Sequence, residues 1–129
     1  MTKRIPVTVR RPRSHYAPAN MPQNGYTTSE GARFAAVRAR DGEGPWLLVH
    51  RRTGMLVGSL LPVSGKATLA GLLRVIAAWD AATHLDMSWL DSLPECEAGT
   101  HERDIPRPDA AAIARCAPEM RELAAVALG

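Results

Sequence analysis

Apolar and polar residues alternate in the middle of the chain in a way that predicts β-strands. Residues 33–40 (RFAAVRAR) and 46–52 (WLLVHRR) are rich in strand-forming residues, and the turn-forming segment DGEGP separates them. Thr53-Gly54 is typical of a hairpin turn, and the apolar pattern resumes over residues 55–61 (MLVGSLL). We therefore predict a three-stranded antiparallel meander.

Side chains alternate across a sheet, so the three predicted strands define two faces. One face is apolar and consists of Ala35, Val37, Ala39, Leu47, Val49, Leu56 and Leu60. The other mixes aromatic, aliphatic and basic residues, namely Phe34, Arg38, Arg40, Trp46, Leu48, His50, Arg52, Met55 and Val57. We expect the apolar face to hold the core and the mixed face to be exposed. The alternative is that Phe34, Trp46, Leu48 and Val57 pack beneath C-terminal helices in a three-layer domain.

A stripe of apolar residues spaced three and four apart follows the meander and predicts a helix. The stripe consists of Leu69, Leu72, Leu73, Ile76 and Trp79. With Ser64 as the N-cap, we predict one long helix over residues 66–84 that covers the apolar face. Residues 109–128 are also helical in composition, but Pro118 lacks a backbone donor and predicts a break into two short helices.

The N-terminal segment, residues 1–29, differs from the rest in composition. It has four prolines, five basic residues and no acidic residue, without a sustained period of 2 or 3.6. We predict an extended basic arm, in which Ile5–Val9 can form a short strand that Pro6 restricts to a sheet edge. Residues 30–129 are then one α+β domain, with the meander packed on the long helix and short helices at the C-terminus.

Charge is distributed unevenly along the chain. The net charge is +7 over residues 1–54 and −4 over residues 55–129, which together give the total of +3. Such polarity favours an anionic partner at one end of the molecule and can equally orient a protein partner.

Two sequence features bear on the cellular location. The N-terminus carries prolines and arginines instead of a signal-peptide hydrophobic region, and the apolar stretch at residues 53–65 is too short and too broken to span a bilayer. Cys96 and Cys116 are then expected to be free thiols. We expect a cytoplasmic protein without a membrane partner.

Motifs for catalysis or cofactor binding are not evident. The segment VSGKAT lacks the Ser or Thr after Lys66 that a phosphate-binding loop requires. Cys96, His101 and Cys116 lack the paired spacing of a structural zinc site, and no nucleophile elbow is found. We therefore predict no catalytic residue, no metal and no cofactor, and we expect a non-enzymatic protein.

Basic residues near aromatic rings are the strongest functional signal. The stretch TVRRPRSHY contributes Arg10, Arg11 and Arg13, and the mixed sheet face contributes Arg38, Arg40, His50, Arg52 and Trp46. Cations suit phosphate contacts and exposed rings suit base stacking. A three-stranded sheet followed by a helix also resembles, in element order, the plant AP2-type and integrase arm-binding DNA modules, which implies DNA binding through the sheet. We predict a small bacterial accessory protein that binds DNA or RNA.

A second function remains open. The uneven charge and the alanine-rich side of the predicted helix also suit a small protein-interaction module, such as an inhibitor or adaptor of the kind carried on mobile elements. Its partner would be an anionic protein surface. If the arginines do not contact phosphates, they are solvated, and the arm is either a soluble tail or a docking strand for a protein partner through Val7 and Val9. The sequence does not specify an oligomeric state, and a dimer is compatible with it.

Overall fold

Residues 2–9, 22–40, 43–62, 67–95 and 108–129 are described by a computed structural model of the chain. The strands are β1 (Lys3–Thr8), β2 (Pro22–Thr27), β3 (Phe34–Arg40) and β4 (Glu43–His50), and a 3₁₀ helix follows at Gly58–Leu60. The helices are α1 (Leu69–Ala81), α2 (Ser88–Asp91) and α3 (Ala110–Leu128). The α+β class with an antiparallel sheet is confirmed.

The sheet has four strands in the order β1-β2-β3-β4, and each neighbouring pair is antiparallel. Strands β3 and β4 were predicted from alternation, and β1 overlaps the short strand expected at Ile5–Val9. The sequence of β2, PQNGYT, has no apolar alternation and was not predicted as a strand. It is held by pairing with β1 along its whole length and with β3 at Gly25 and Tyr26.

The predicted third strand over residues 55–61 is wrong. Pairing with β4 is limited to one bridge between Val49 and Leu56, with backbone hydrogen bonds on either side of it. The chain then turns into the 3₁₀ helix, which buries Leu60. Gly58 and Ser59 have low strand propensity, so this bend costs little. The sheet therefore grows through β2 and β1, and the element order of the DNA-binding modules named above is not kept.

For β3 and β4 the predicted grouping of side chains into faces is correct, but the face chosen for the core is wrong. Leu60, which was predicted on the face of Val49, belongs to the cluster on the opposite side. Cross-strand pairs Phe34–His50, Ala36–Leu48 and Arg38–Trp46 place these residues on one face. Helix α1 packs on that face, where Phe34, Ala36 and Leu48 share a core cluster with residues of α1 and α3. This matches the alternative in which Phe34, Trp46, Leu48 and Val57 pack beneath helices, with Trp46 partly buried against the same cluster.

The face predicted to lie under the helix has its own apolar cluster. Its buried members are Ile5, Val7, Val9, Ala35, Val37 and Val49. Three of these come from the segment at β1 that the sequence interpretation placed in the arm. Apolar side chains of β1 thus pack on the face of Val37 and Val49, while the helices pack on the opposite face with Phe34 and Leu48.

Both major helices depart from their predicted extents. Helix α1 has 13 residues and begins after Thr68, whose Oγ1 accepts the Gly71 amide N–H at 3.0 Å, so Ser64 is not its N-cap. Helix α3 runs for 19 residues through Pro118, so the predicted break is wrong. Packing explains the continuity, because Ala117, Met120 and Ala124 on both sides of the proline are buried in the core. None of the helices in the described part of the chain is long and apolar enough to cross a membrane.

Candidate nucleic-acid interface

The predicted binding residues have different fates in the structure. Arg10, Arg11 and Arg13 lie outside the described residues. Arg40 ends β3 opposite Glu43, and its side chain is also outside the description. Arg38, Trp46, His50 and Arg52 are described, and they do not form one surface. They divide into a half-buried pair, Arg38 and Trp46, of which Trp46 packs against the helix-side core, and two residues with contacts inside the fold, His50 and Arg52.

Arg38 and Trp46 form a stacked pair on the helix-bearing face of the sheet. The guanidinium carbon of Arg38 lies 4.2 Å from the centroid of the Trp46 ring, and its Nη1 donates to the Gly44 carbonyl at 2.7 Å. Both side chains are half-buried. The cation over the ring is a stabilising contact, and the bond to Gly44 holds the guanidinium in place.

Tyr26 and Arg4 extend this pair across the sheet. The Tyr26 ring meets Trp46 edge-on, with centroids 5.7 Å apart and an angle of 74° between the planes. Arg4, which is exposed, is the cross-strand partner of Tyr26 and therefore shares its face. We call Arg4, Tyr26, Arg38 and Trp46 the stacking platform. Two cations and two rings thus lie across all four strands of the sheet.

Local geometry explains how the platform is assembled. Gly44 has a φ of 86°, a left-handed value that glycine adopts without strain, and it lies at the start of β4 in the β3–β4 hairpin. The register between β3 and β4 shifts between Arg38 and Arg40, beyond the Arg38–Trp46 pair. Arg38 and Trp46 are thus the last regular pair before the irregular end of the hairpin, where a ring and a cation can remain partly exposed.

His50 was predicted on the binding surface but is buried, with 2% of its surface exposed. Its Nδ1 lies 2.8 Å from Thr53 Oγ1, and its Nε2 lies 3.7 Å from Asp91 Oδ1. Burial lowers the pKa of His50 to about 4, against the opposing charge of Asp91. At neutral pH the ring is therefore uncharged, and its contacts fasten the turn after β4.

Arg52 also has a structural contact. Its Nη1 donates to the backbone carbonyl of Asp91, while Arg33 Nη2 lies 3.1 Å from Asp91 Oδ2. Asp91 thereby ties α2 to the residues just before β3 and just after β4, at the open end of the β3–β4 hairpin. Arg52 remains exposed, but its guanidinium is committed in part to this contact.

Asp91, His50 and Thr53 are the residue types of a hydrolase triad, but their geometry is structural. Thr53 is fully buried, and its Oγ1 accepts the Met55 amide N–H at 3.3 Å. The separation of 3.7 Å between His50 Nε2 and Asp91 Oδ1 is longer than a hydrogen bond. A substrate would not reach this hydroxyl. Thr53 instead stabilises the turn after β4 through its contacts with His50 and the Met55 amide.

The described residues contain no group of three or more His, Cys, Asp or Glu side chains that could hold a metal ion. Cys116 is a buried free thiol, 3.6 Å from the Ile113 carbonyl, whereas Cys96 and His101 lie outside the described residues. Comparison of the chain with protein-family models, curated proteins and solved structures found no significant match.

Two of the four residues of the stacking platform were predicted from the sequence. Arg38 and Trp46 followed from alternation in recognisable strands. Arg4 could have been inferred, because Ile5 and Val7 predict that the residues between and beside them point the other way. Tyr26 gave no usable signal, since its strand lacks alternation and acquires its position only by pairing with β1 and β3.

Proposed function

We propose that this protein is a non-enzymatic nucleic-acid-binding protein and that the stacking platform is part of its binding surface. The observation that carries the proposal is the Arg38 guanidinium lying over Trp46, beside Tyr26 and Arg4 on one sheet face. Planar guanidinium groups and aromatic rings both offer surfaces on which a nucleobase stacks.

The charge of the platform supports a polyanionic ligand. Arg4 is exposed in the edge strand β1, where its cation can reach a phosphate next to a stacked base. The surrounding N-terminal half of the chain is strongly basic, which raises the local concentration of an anionic ligand. Arg10, Arg11 and Arg13 follow β1 in sequence and would add phosphate contacts to those of Arg4.

The test is the binding of labelled single-stranded and duplex oligonucleotides, followed by fluorescence anisotropy over a series of salt concentrations. Trp46→Ala should weaken binding by about tenfold, because stacking of one base contributes about 1–3 kcal/mol. Arg4→Gln should reduce the magnitude of the slope of log affinity against log salt concentration by about 0.7–0.9, which is the contribution of one phosphate contact. Circular dichroism and thermal melting establish that each variant is folded.

Arg74→Gln is the matched control, because Arg74 is an exposed cation on α1, outside the platform. Its binding should equal that of the parent protein. Two results would overturn the proposal: a parent protein that binds no oligonucleotide at low salt, or folded Trp46→Ala and Arg4→Gln variants that bind as tightly as the parent.

A further inference from the structure

A cavity of about 250 Å³ lies where α2 and the segment before it approach α3, and it shares no residue with the stacking platform. Part of its lining is apolar: Leu85, Trp89, Ala112 and Cys116. The rest is charged or titratable: His84, Asp86, Arg115 and Glu119. An apolar wall with a few polar groups is typical of a small-molecule site.

The indole of Trp89 contributes its ring carbons, and not its N–H, to the cavity wall. Trp89 is 7% exposed, and its Nε1 has no hydrogen-bond partner in the described part of the chain. By contrast, the buried Trp79 donates its Nε1–H to the Met120 carbonyl at 2.9 Å. Because the Nε1 atom itself has essentially no accessible surface, a ligand in the cavity cannot accept its hydrogen and contacts the ring carbons instead.

Charges of both signs line the cavity. Hydrogen bonds from Ser88 lower the pKa of the Asp86 carboxyl group, which is therefore ionised at neutral pH, and the charge of Arg115 acts in the same direction. Glu119 is hydrogen-bonded to His84 Nε2. A simple anion would face two carboxylates and a simple cation would face Arg115, so the lining favours a ligand that carries both charges.

We propose that this cavity binds a small zwitterion of the free amino-acid type. The ligand carboxylate accepts from Arg115, its ammonium group faces Asp86 and Glu119, and its side chain packs against Leu85 and the Trp89 ring. The volume corresponds to about eight water molecules, at roughly 30 Å³ each, which matches an aliphatic amino acid of similar heavy-atom number.

Isothermal titration calorimetry on the full chain tests the proposal with L-valine, L-leucine and L-methionine as probes. At least one should bind saturably. The analogues of leucine that lack one charge, 3-methylbutylamine and 4-methylpentanoate, should bind about tenfold more weakly or worse than leucine, because each loses a charged hydrogen bond. The proposal fails if none of the three amino acids binds saturably, or if either analogue binds as well as leucine.

Matched variants on α3 locate the site. Arg115→Gln and Glu119→Gln should each weaken binding by about tenfold, whereas Arg121→Gln and Glu122→Gln make the same changes on that helix outside the cavity lining and should have no effect. Folded cavity variants that bind as tightly as the parent would overturn the assignment.

Discussion

Gly25 lies in β2 between valine side chains of the neighbouring strands β1 and β3. A Cβ at this position would lie 2.8 Å from Val7 Cγ2 and 3.1 Å from Val37 Cγ1, and both valines are buried. We predict that Gly25→Ala lowers the free energy of unfolding by about 1–3 kcal/mol through overpacking.

Gly31→Ala is the control for Gly25→Ala, because a Cβ at Gly31 meets nothing within 4 Å. Its unfolding free energy should change by less than about 0.5 kcal/mol or rise slightly. Urea denaturation of both variants provides the measurement. Equal effects of the two substitutions would show that β2 does not pack closely between β1 and β3.

His50 gives the protein a predictable response to acid. In the unfolded chain its imidazole takes up a proton as the pH falls through about 6.5, but in the folded protein its pKa is about 4. Between these values the unfolded state binds more protons, so stability falls as the pH is lowered from about 6.5 to 4. Above pH 6.5 the ring is neutral in both states and adds no pH dependence.

At pH 4, relative to pH values above 6.5, His50 is expected to lower the free energy of unfolding by an amount on the order of 2–3 kcal/mol. This loss is measured as the difference in pH dependence of urea unfolding between the parent protein and His50→Gln, whose side chain remains neutral throughout. Titration of the imidazole by NMR provides an independent check. A midpoint near 6.5 in the folded protein would contradict the prediction.

At the scale of whole elements, α3 carries an interior proline that its packing must offset. Pro118 is exposed, cannot donate to the carbonyl four residues earlier, and crowds the preceding turn. We predict that Pro118→Ala raises the unfolding free energy by about 1–3 kcal/mol.

Pro62→Ala is a matched control, since Pro62 is also exposed but lies outside the helices. There the substitution should leave stability unchanged or lower it by less than about 1 kcal/mol, because proline restricts the unfolded chain. Thermal and urea denaturation compare the two variants. A loss of stability in Pro118→Ala would mean that α3 needs a proline-induced bend to pack on α1.

Elements differ in how completely the sequence predicts them. Strands β3 and β4 combine alternation with a clear turn between them, and α1 has a continuous apolar stripe, so local pattern was sufficient for all three. Residues 55–61 show the opposite, because their apolar pattern resembles a strand while the chain forms a single bridge and a 3₁₀ helix. A short run of apolar residues is compatible with a strand or with a helical turn, because both can bury its side chains.

For the molecule as a whole, the concentration of positive charge in the N-terminal half predicts binding that depends on salt. If Arg10, Arg11 and Arg13 contact phosphates, replacing all three with Gln should reduce the magnitude of the log-affinity against log-salt slope by about 2–3. The effect should be similar for all nucleic-acid sequences, because phosphates carry no sequence information.

The matched control for this triple substitution is Arg74, Arg115 and Arg121 to Gln, which removes the same charge from the helices. It should leave the slope nearly unchanged if the contacts are local to the N-terminal segment. Equal losses in both triple variants would indicate attraction by net charge alone. A triple Arg10, Arg11 and Arg13 variant that binds like the parent would favour a protein partner for this segment.

The sequence by itself determined the α+β class, the β3–β4 hairpin, the position of α1 and the sharing of one face by Arg38 and Trp46. These features depend on periodicity and turn chemistry within a few residues of each other, which a linear pattern records directly. They were sufficient to place half of the stacking platform.

Only the tertiary structure decided which sheet face the helices cover. Both faces of β3 and β4 are apolar enough to be buried, and the choice depends on β1, whose Ile5 and Val7 occupy the face opposite α1. The same pairing creates β2 and brings Tyr26 to Trp46. Pairing between segments that are distant in sequence produces no periodic pattern of apolar residues within either segment. A residue such as Tyr26 is placed by the strands beside it and not by its sequence neighbours.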